Sequence, residues 1–156
     1  RLLDFWNPPT DSYLIIQKEA AFRLVPKDYE NFFALQYKPW FESKVLKTVG
    51  RKQFFPEPSV DTMLVHIHKR EFPILSEEDR ASYTKFISFC FLKFKVNVKS
   101  ALKKFFTLKQ LGIISRENKI NFELKPSQLS FEQWLVLFDC YKQLVSKEKK
   151  LLIENN

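Results

Sequence analysis

The sequence has few glycines, few cysteines and no long apolar run, and each shortage excludes a class of protein. Only two glycines occur, Gly50 and Gly112, and neither belongs to a Gly-rich loop of the kind that binds phosphate or a nucleotide cofactor. The cysteines, Cys90 and Cys140, lie far apart within helical patterns, which indicates small buried thiols in a reduced, cytoplasmic protein. No apolar run approaches the roughly 18 to 20 residues of a membrane span, and the N-terminus lacks the order of a secretory signal.

Aromatic residues and positive charge are abundant instead. Of the 156 residues, 45% are hydrophobic and 16% aromatic, which is enough for a packed core. The length allows one ordinary domain, or one small domain plus part of another. The net charge of +8 indicates a polyanionic partner, either nucleic acid or an anionic membrane. Because the first residue is Arg rather than Met and the chain opens in a helical pattern, we expect a piece of a longer protein.

The first seventy residues alternate between helix and strand patterns. After a helix end at residues 1–6, the run at 12–17 is typical of a buried central strand, and a helix follows at 18–25. Residues 42–50 and 62–70 alternate in the manner of strands, and we expect them to pair antiparallel. Strands that feed directly into helices are typical of the α/β class.

The remainder, residues 71–156, carries only helical patterns. The sequence predicts helices at 76–94, at 99–112 with Gly112 as terminator, and at 130–150 with a Ser-x-x-Gln capping box. In the first of these helices the apolar residues at helical spacing are Tyr83, Phe86, Ile87, Cys90 and Phe94. We therefore predict an α/β domain over residues 1–70 and an all-α domain over the rest.

Nine basic residues lie between Arg80 and Arg116, and no Asp or Glu interrupts them. A solvated helix face normally carries both signs, so one-signed charge favours a phosphate-binding surface over a plain solvated face. Membrane binding is the poorer alternative, because the apolar side has the length and composition of a core face. The residues that we assign to the phosphate-binding surface are Lys93, Lys95, Lys99, Lys103, Lys104 and Lys109.

His66 and His68 are the two histidines, and as alternate residues of a strand they point the same way. No Cys, Asp or third His lies at ligand spacing near them, so we expect no metal site. No nucleophile elbow and no Ser/His/Asp arrangement occurs either. On chemistry alone the sequence contains no complete active site.

Five stretches, taken in order, resemble the Erm family of rRNA adenine N6-methyltransferases. They are YLIIQKEAAFRL, YKPWFESKV, QFFPEPSVD, FFTLKQLG and LSFEQWLVLF. The housekeeping small-subunit rRNA adenine dimethylases share the Pro-x-Pro signature. The resemblance implies the C-terminal half of a Rossmann-like methyltransferase sheet, followed by a small helical RNA-binding domain.

The resemblance also implies where the substrate base and the cofactor bind. In the family, an Asn-x-Pro-aromatic tetrapeptide holds the adenine. Asn7-Pro8-Pro9-Thr10 spells most of that motif but occupies a later loop, so Asn7 is a decoy. The tetrapeptide and the S-adenosylmethionine site would precede Arg1. Phe54 matches the aromatic that stacks on the flipped-out adenine; the alternative is that Phe54, or more readily Phe55, fills the core under a strand end.

The function implied is transfer of methyl from S-adenosylmethionine to a 23S rRNA adenine, which blocks macrolide-type antibiotics. We expect a cytoplasmic monomer with 23S rRNA as partner and no membrane contact, and we expect the 156 residues alone to be inactive. Two alternatives remain open. One is a non-catalytic RNA-binding module of the same fold, and the other is a small-subunit rRNA dimethylase or a DNA adenine methyltransferase.

Overall fold

The computed structural model describes Leu3, residues 7–93 and residues 97–154, with the side chains of Lys93 and 152–154 left out. The helix end expected at 1–6 falls largely outside these residues. The chain divides into two compact units. The sheet unit comprises residues 1–28 and 33–76, and the helical unit comprises residues 29–32 and 77–156.

The described elements of the sheet unit are β1 (Asp11–Gln17), α1 (Lys18–Leu24), α2 (Phe32–Tyr37, whose first residue belongs to the helical unit), β2 (Phe41–Val49) and β3 (Thr62–Lys69). The three strands form an antiparallel sheet in the order β1-β3-β2. The strand-to-helix step predicted at 12–25 is confirmed. The antiparallel pairing predicted for the second and third strands is also confirmed, and β3 separates β1 from β2.

One face of β3 is buried, because Met63, Val65 and Ile67 alternate with less buried residues along the strand. The prediction of a buried central strand at 12–17 is wrong. Within the described residues β1 lies at the edge of the sheet, and Tyr13 and Ile15 are 62% and 54% exposed. An apolar, β-branched run shows strand propensity, but the elements that cover the strand are decided elsewhere in the chain.

The strict alternation predicted for β2 is interrupted. The pairing with β3 shifts register between Val45 and Lys47, and Leu46 is exposed beside this bulge. A bulge adds one residue to one strand of a pair, so it changes which side chains share a face. The alternation of residues 42–50 therefore changes phase at Leu46.

Among its described residues, the helical unit contains five α-helices. They are α3 (Arg80–Ser88), α4 (Val98–Leu102), α5 (Leu108–Asn118), α6 (Phe131–Leu144) and α7 (Lys147–Glu154). A 3-10 turn (Glu77–Asp79) precedes α3, a π-helical turn (Phe89–Lys93) follows it, and another 3-10 turn (Pro126–Gln128) precedes α6.

Two helices predicted in this unit are wrong as single elements. The helix predicted at 99–112 is two helices, α4 and α5, and Gly112 does not end it. Gly112 lies inside α5, which begins with a Thr107–Gln110 capping box and is followed by Lys119 in the left-handed conformation. The helix predicted at 130–150 is two helices, because Val145 leaves the helical conformation after α6. The capping box at Ser130 is confirmed.

Aromatic rings form the core of the helical unit. The Phe86 ring lies 4.9 Å from that of Tyr141 and 6.2 Å from that of Trp134. Of the apolar residues predicted in the first helix, four are buried, and Phe94 lies outside the described residues. Burial raises the pKa of the Cys90 thiol, which makes it an inert core residue. Cys140 is only half-buried, and both cysteines are free.

Among the described helices, none is long and apolar enough to span a bilayer.

Candidate functional site

The loop between β2 and β3 contains the Phe-x-Pro-x-Pro-x-Val-Asp sequence and is closed at its base by an ion pair. Arg51 Nε lies 2.7 Å from Asp61 Oδ1, with both side chains about half exposed. The hydrogen bond from the Arg51 guanidinium lowers the pKa of Asp61 below its ordinary value. The Lys18 backbone N–H donates to the Asp61 carbonyl at 2.9 Å, which ties the loop to the start of α1.

The two rings of this loop differ in exposure. Phe54 is half-buried, and its backbone N–H donates to the Arg51 carbonyl at 3.1 Å. Phe55 is fully exposed, so the expectation that Phe55 is the core ring is wrong. The sequence places both rings before Pro56, and proline spacing does not tell which ring turns inward. The stacking role of Phe54 stays a prediction.

Three of the lysines assigned from sequence lie exposed around the connection from α4 to α5. Lys103 and Lys104 follow α4, and Lys109 lies in the first turn of α5. Phe105 and Phe106, between them, are buried and anchor the connection to the core. Among the described residues, no carboxylate lies within ion-pair distance of these three lysines. We call Lys103, Lys104 and Lys109 the lysine surface.

Lys99 is not part of the open charge that the sequence indicated. Its Nζ lies 2.5 Å from Glu123 Oε1, and Asn97 Nδ2 donates to the same carboxylate at 3.2 Å. The Lys99 backbone N–H also donates to the Phe122 carbonyl at 2.9 Å. No Asp or Glu lies near Lys99 in the sequence, and Glu123 becomes its neighbour only when the chain folds. The Lys93 side chain and Lys95 lie outside the described residues.

Lys149 is a basic residue near the lysine surface that the sequence interpretation missed. Its Nζ donates to the Phe105 carbonyl at 3.2 Å, which places a fourth cation beside the connection from α4 to α5. The run of lysines at 147–150 was visible in the sequence. The sequence predicted a single helix at 130–150, and such a helix gave no indication that Lys149 lies near the lysine surface.

His66 and His68 have a carboxylate neighbour in the fold that spacing along the sequence did not indicate. Pairing of β1 with β3 places Asp11 beside both imidazoles, with Oδ1 2.6 Å from His66 Nε2 and 3.0 Å from His68 Nδ1. Hydrogen bonds, first from His66 and then from His68, lower the pKa of Asp11. Fifty-five residues separate Asp11 from His66, so local spacing gave no signal.

A family profile described as ribosomal RNA adenine dimethylase matches residues 1–143 of the chain. The chain belongs to this family. Asn7 is exposed in the loop that leads into β1, where the family resemblance placed it.

Curated relatives carry two kinds of name. The chain is 26% identical over 136 residues to an rRNA adenine N-6-methyltransferase of Bacillus licheniformis, which covers 87% of the chain and 47% of the relative. It is 31% identical over 125 residues to one of Bacteroides fragilis, covering 80% and 47%. It is 24% identical over 132 residues to the ribosomal RNA small subunit methyltransferase A of Mycoplasma mobile, covering 83% and 51%. The chain thus spans about half the length of these relatives.

Two solved structures share the fold. The 23S rRNA methyltransferase ErmE superposes with a TM-score of 0.74 at 21% identity, over 86% of this chain and 55% of that one. A dimethyladenosine transferase from Plasmodium falciparum superposes with a TM-score of 0.65 at 18% identity, over 92% and 62%. At these identities the likeness concerns the fold alone.

Enzymes of this family generally use S-adenosylmethionine, and the glycines of this chain do not fit that cofactor. A Rossmann-like domain holds a nucleotide with a Gly-rich turn between a strand and a helix. Gly50 instead precedes a 3-10 turn after β2, and Gly112 lies within α5. The described residues therefore offer no such turn.

Proposed function

We propose that this chain is the distal part of an rRNA adenine N6-methyltransferase that methylates an adenine of 23S rRNA in the cytoplasm. In the Erm family, which the sequence resembles, such methylation confers macrolide-type antibiotic resistance. Because the described residues do not fit S-adenosylmethionine, the methyl donor would bind outside them. The part played by this chain is to bind the RNA and to position the target base.

The lysine surface is the observation that carries the proposal. Its three exposed lysines, with Lys149 nearby, form a cationic surface. The buried rings of Phe105 and Phe106 anchor the backbone between these lysines to the core. Contacts of Lys and Arg with phosphates supply most of the sequence-independent affinity for nucleic acid. The family match and the names of the relatives support rRNA as the nucleic acid.

The β2–β3 loop is suited to hold a base. Its closure by Arg51 and Asp61 limits the positions available to Phe54, and the two prolines restrict the backbone between them. A flat ring held in this way stacks on an unpaired base with roughly 1 to 3 kcal/mol. An enzyme that modifies adenine N6 needs such a base-holding group, because the base must leave the helical stack.

The proposal is tested by measuring RNA binding of the 156-residue chain over a range of salt concentrations. We expect Lys103→Gln with Lys104→Gln to weaken binding to a 23S rRNA hairpin. The slope of log affinity against log salt should fall by roughly 0.7 to 0.9 for each phosphate that a lysine no longer neutralises. A control with the same charge change is Lys47→Gln with Lys147→Gln, two exposed lysines outside the lysine surface.

Equal reductions of affinity in both double variants would mean that net charge alone binds RNA. Unchanged affinity in both would mean that the lysine surface contacts only solvent and not RNA, and would contradict the proposal. Melting curves of all variants exclude unfolding as the cause.

A small-subunit dimethylase is the second candidate, because relatives from Mycoplasma and Ureaplasma at 24% identity are named ribosomal RNA small subunit methyltransferase A. Parallel binding to a small-subunit rRNA hairpin separates the two. Tighter binding to the 23S hairpin supports the 23S enzyme, and the reverse order supports the dimethylase. A non-catalytic module would bind RNA although the longer protein containing it transferred no methyl group.

A further inference from the structure

The solvent-facing side of the sheet brings a carboxylate and two imidazoles together. In the pairing of β1 with β3, Asp11 lies opposite His68, and Tyr13 lies opposite His66. Side chains alternate along a strand, so Asp11 and Tyr13 share one face with the two histidines. The buried face of β3 contains none of these groups.

Three potential ligand atoms converge within this cluster. Asp11 Oδ1, one nitrogen of His66 and one of His68 all lie within 4.8 Å of one another. Ligand atoms around a tetrahedral Zn²⁺ at its usual bond lengths are separated by about 3.3 Å. The Asp11 oxygen lies 2.6 and 3.0 Å from the two nitrogens, closer than this separation, so the exposed Asp11 side chain would rotate outward to admit the ion.

The imidazole of His66 is held in place before any ion binds. The Tyr13 ring stacks on it with centroids 4.5 Å apart and planes 10° from parallel, and the His66 side chain is only 14% exposed. His68 and Asp11 are more exposed and free to adjust. One fixed ligand and two adjustable ligands suit a site that forms without moving the backbone.

The surroundings leave one side of the cluster open. A groove of ≈ 240 Å³ lies beside the histidines, lined also by Glu42, Ser43 and Lys44. Lys44 pairs in register with His66, and its positive charge repels a cation. Glu42 pairs in register with His68 and forms an ion pair with Arg70. Two imidazoles and one carboxylate, with room for water, form a donor set for borderline transition metals rather than for Mg²⁺ or Ca²⁺.

We propose that Asp11, His66 and His68 bind a divalent transition metal such as Zn²⁺, with a fourth position open to the groove. The ion joins β1 to β3 and leaves the lysine surface and the β2–β3 loop untouched. The alternative is that Asp11 only accepts hydrogen bonds from the two histidines.

The test is a Zn²⁺ titration of the 156-residue chain followed by NMR of the histidine rings. Because the chain contains two histidines, every ring signal belongs to His66 or His68. We expect one equivalent of Zn²⁺ to shift the signals of both rings and to raise the melting temperature. His68→Gln and Asp11→Asn should each weaken binding by at least about 10-fold, since loss of even an outer hydrogen-bond partner weakens metal sites by about 10- to 100-fold.

Two controls distinguish this site from adventitious binding. Cys140→Ser removes the half-buried thiol, the other soft ligand of the described surface, and should leave Zn²⁺ affinity unchanged. Lys44→Gln removes the opposing charge and should strengthen binding. Zn²⁺ that shifts neither ring, or that binds the His66→Gln/His68→Gln double variant as tightly as the parent, would overturn the proposal.

Discussion

In the helical unit the aromatic rings pack against one another, whereas several rings of the sheet unit face solvent. Phe86, Trp134 and Tyr141 are almost completely buried in one cluster. In the sheet unit, Tyr13 and Phe55 are exposed, the first on the sheet and the second on the β2–β3 loop. The helical unit thus encloses its own core, while the sheet unit holds rings available to other molecules or segments.

This difference shows that similar residues carry different kinds of information in the two units. A helix with an apolar stripe turns that stripe toward the core, so composition and period locate the core residues even where the partner rings lie far along the chain, as Trp134 and Tyr141 do for Phe86. Tyr13 and Phe55 lie on a strand at the edge of the described sheet and on a proline-rich loop, where covering neighbours are set by distant segments. Four experiments can break or sharpen the comparison.

The largest expected effect is in the core of the helical unit. Phe86→Ala should lower the free energy of unfolding by roughly 3 to 5 kcal/mol, because the ring is fully buried among other rings. The matched control is Phe72→Ala in the sheet unit, where the ring is 81% exposed and the loss should be within about 0.5 kcal/mol. Denaturant unfolding measures both. Equal losses would break the comparison.

The second effect concerns the loop ring proposed to hold the base. In the longer methyltransferase proposed to contain this chain, Phe54→Leu should lower activity about 5- to 150-fold, which corresponds to roughly 1 to 3 kcal/mol of stacking free energy. Its melting temperature should change little, because the volume is nearly conserved.

Phe55→Leu is the control for Phe54, since its exposed ring contributes little to the core. Methyl transfer and melting are measured for both variants. Normal turnover by Phe54→Leu, or a loss caused by unfolding, would remove Phe54 from the site. A larger loss of activity in Phe55→Leu would transfer the stacking role to the neighbouring ring.

A smaller effect tests the position of Gly112 within α5. Gly112→Ala should raise the free energy of unfolding by about 0.5 to 1 kcal/mol, because alanine favours a helix interior. An added Cβ meets nothing within 4 Å, and neither glycine has a positive φ. Thermal melting decides between this result and the destabilisation expected if Gly112 ended a helix.

The smallest effect concerns the Arg51–Asp61 ion pair and its dependence on pH. The pKa of Asp61 is lowered in the folded chain, so its contribution to stability is present above the ordinary aspartate pKa of 3.8 and is lost as the pH falls through the lower folded value. Asp61→Asn should therefore melt slightly below the parent at neutral pH and together with it in strong acid.

Glu57→Gln removes another exposed carboxylate of the same loop and serves as the control. Because the pair is exposed, added salt should also reduce the difference between Asp61→Asn and the parent. A difference that persists in strong acid would mean that Asp61 acts through its backbone or shape rather than through its charge.

The sequence alone was sufficient for the features that depend on local chemistry. Ser130 and its partner three residues later form the predicted capping box, and the residues of β3 alternate in burial as expected of the predicted strand. The proline-rich stretch after Gly50 is irregular, because proline removes backbone donors. These features follow from hydrogen bonds and steric limits within a few residues, so the same short sequence pattern produces them in any protein.

Only the tertiary structure decided the features that join distant residues. The Lys99–Glu123 pair removes one lysine from the open charge, Lys149 approaches the lysine surface, and Asp11 reaches His66 across strands. Local propensity contains no information about such pairings, because they form only when loop closure brings separate segments together. The exposure of β1 has the same origin: its residues determined a strand, and its pairing with β3 placed it at the edge of the sheet that the described residues form.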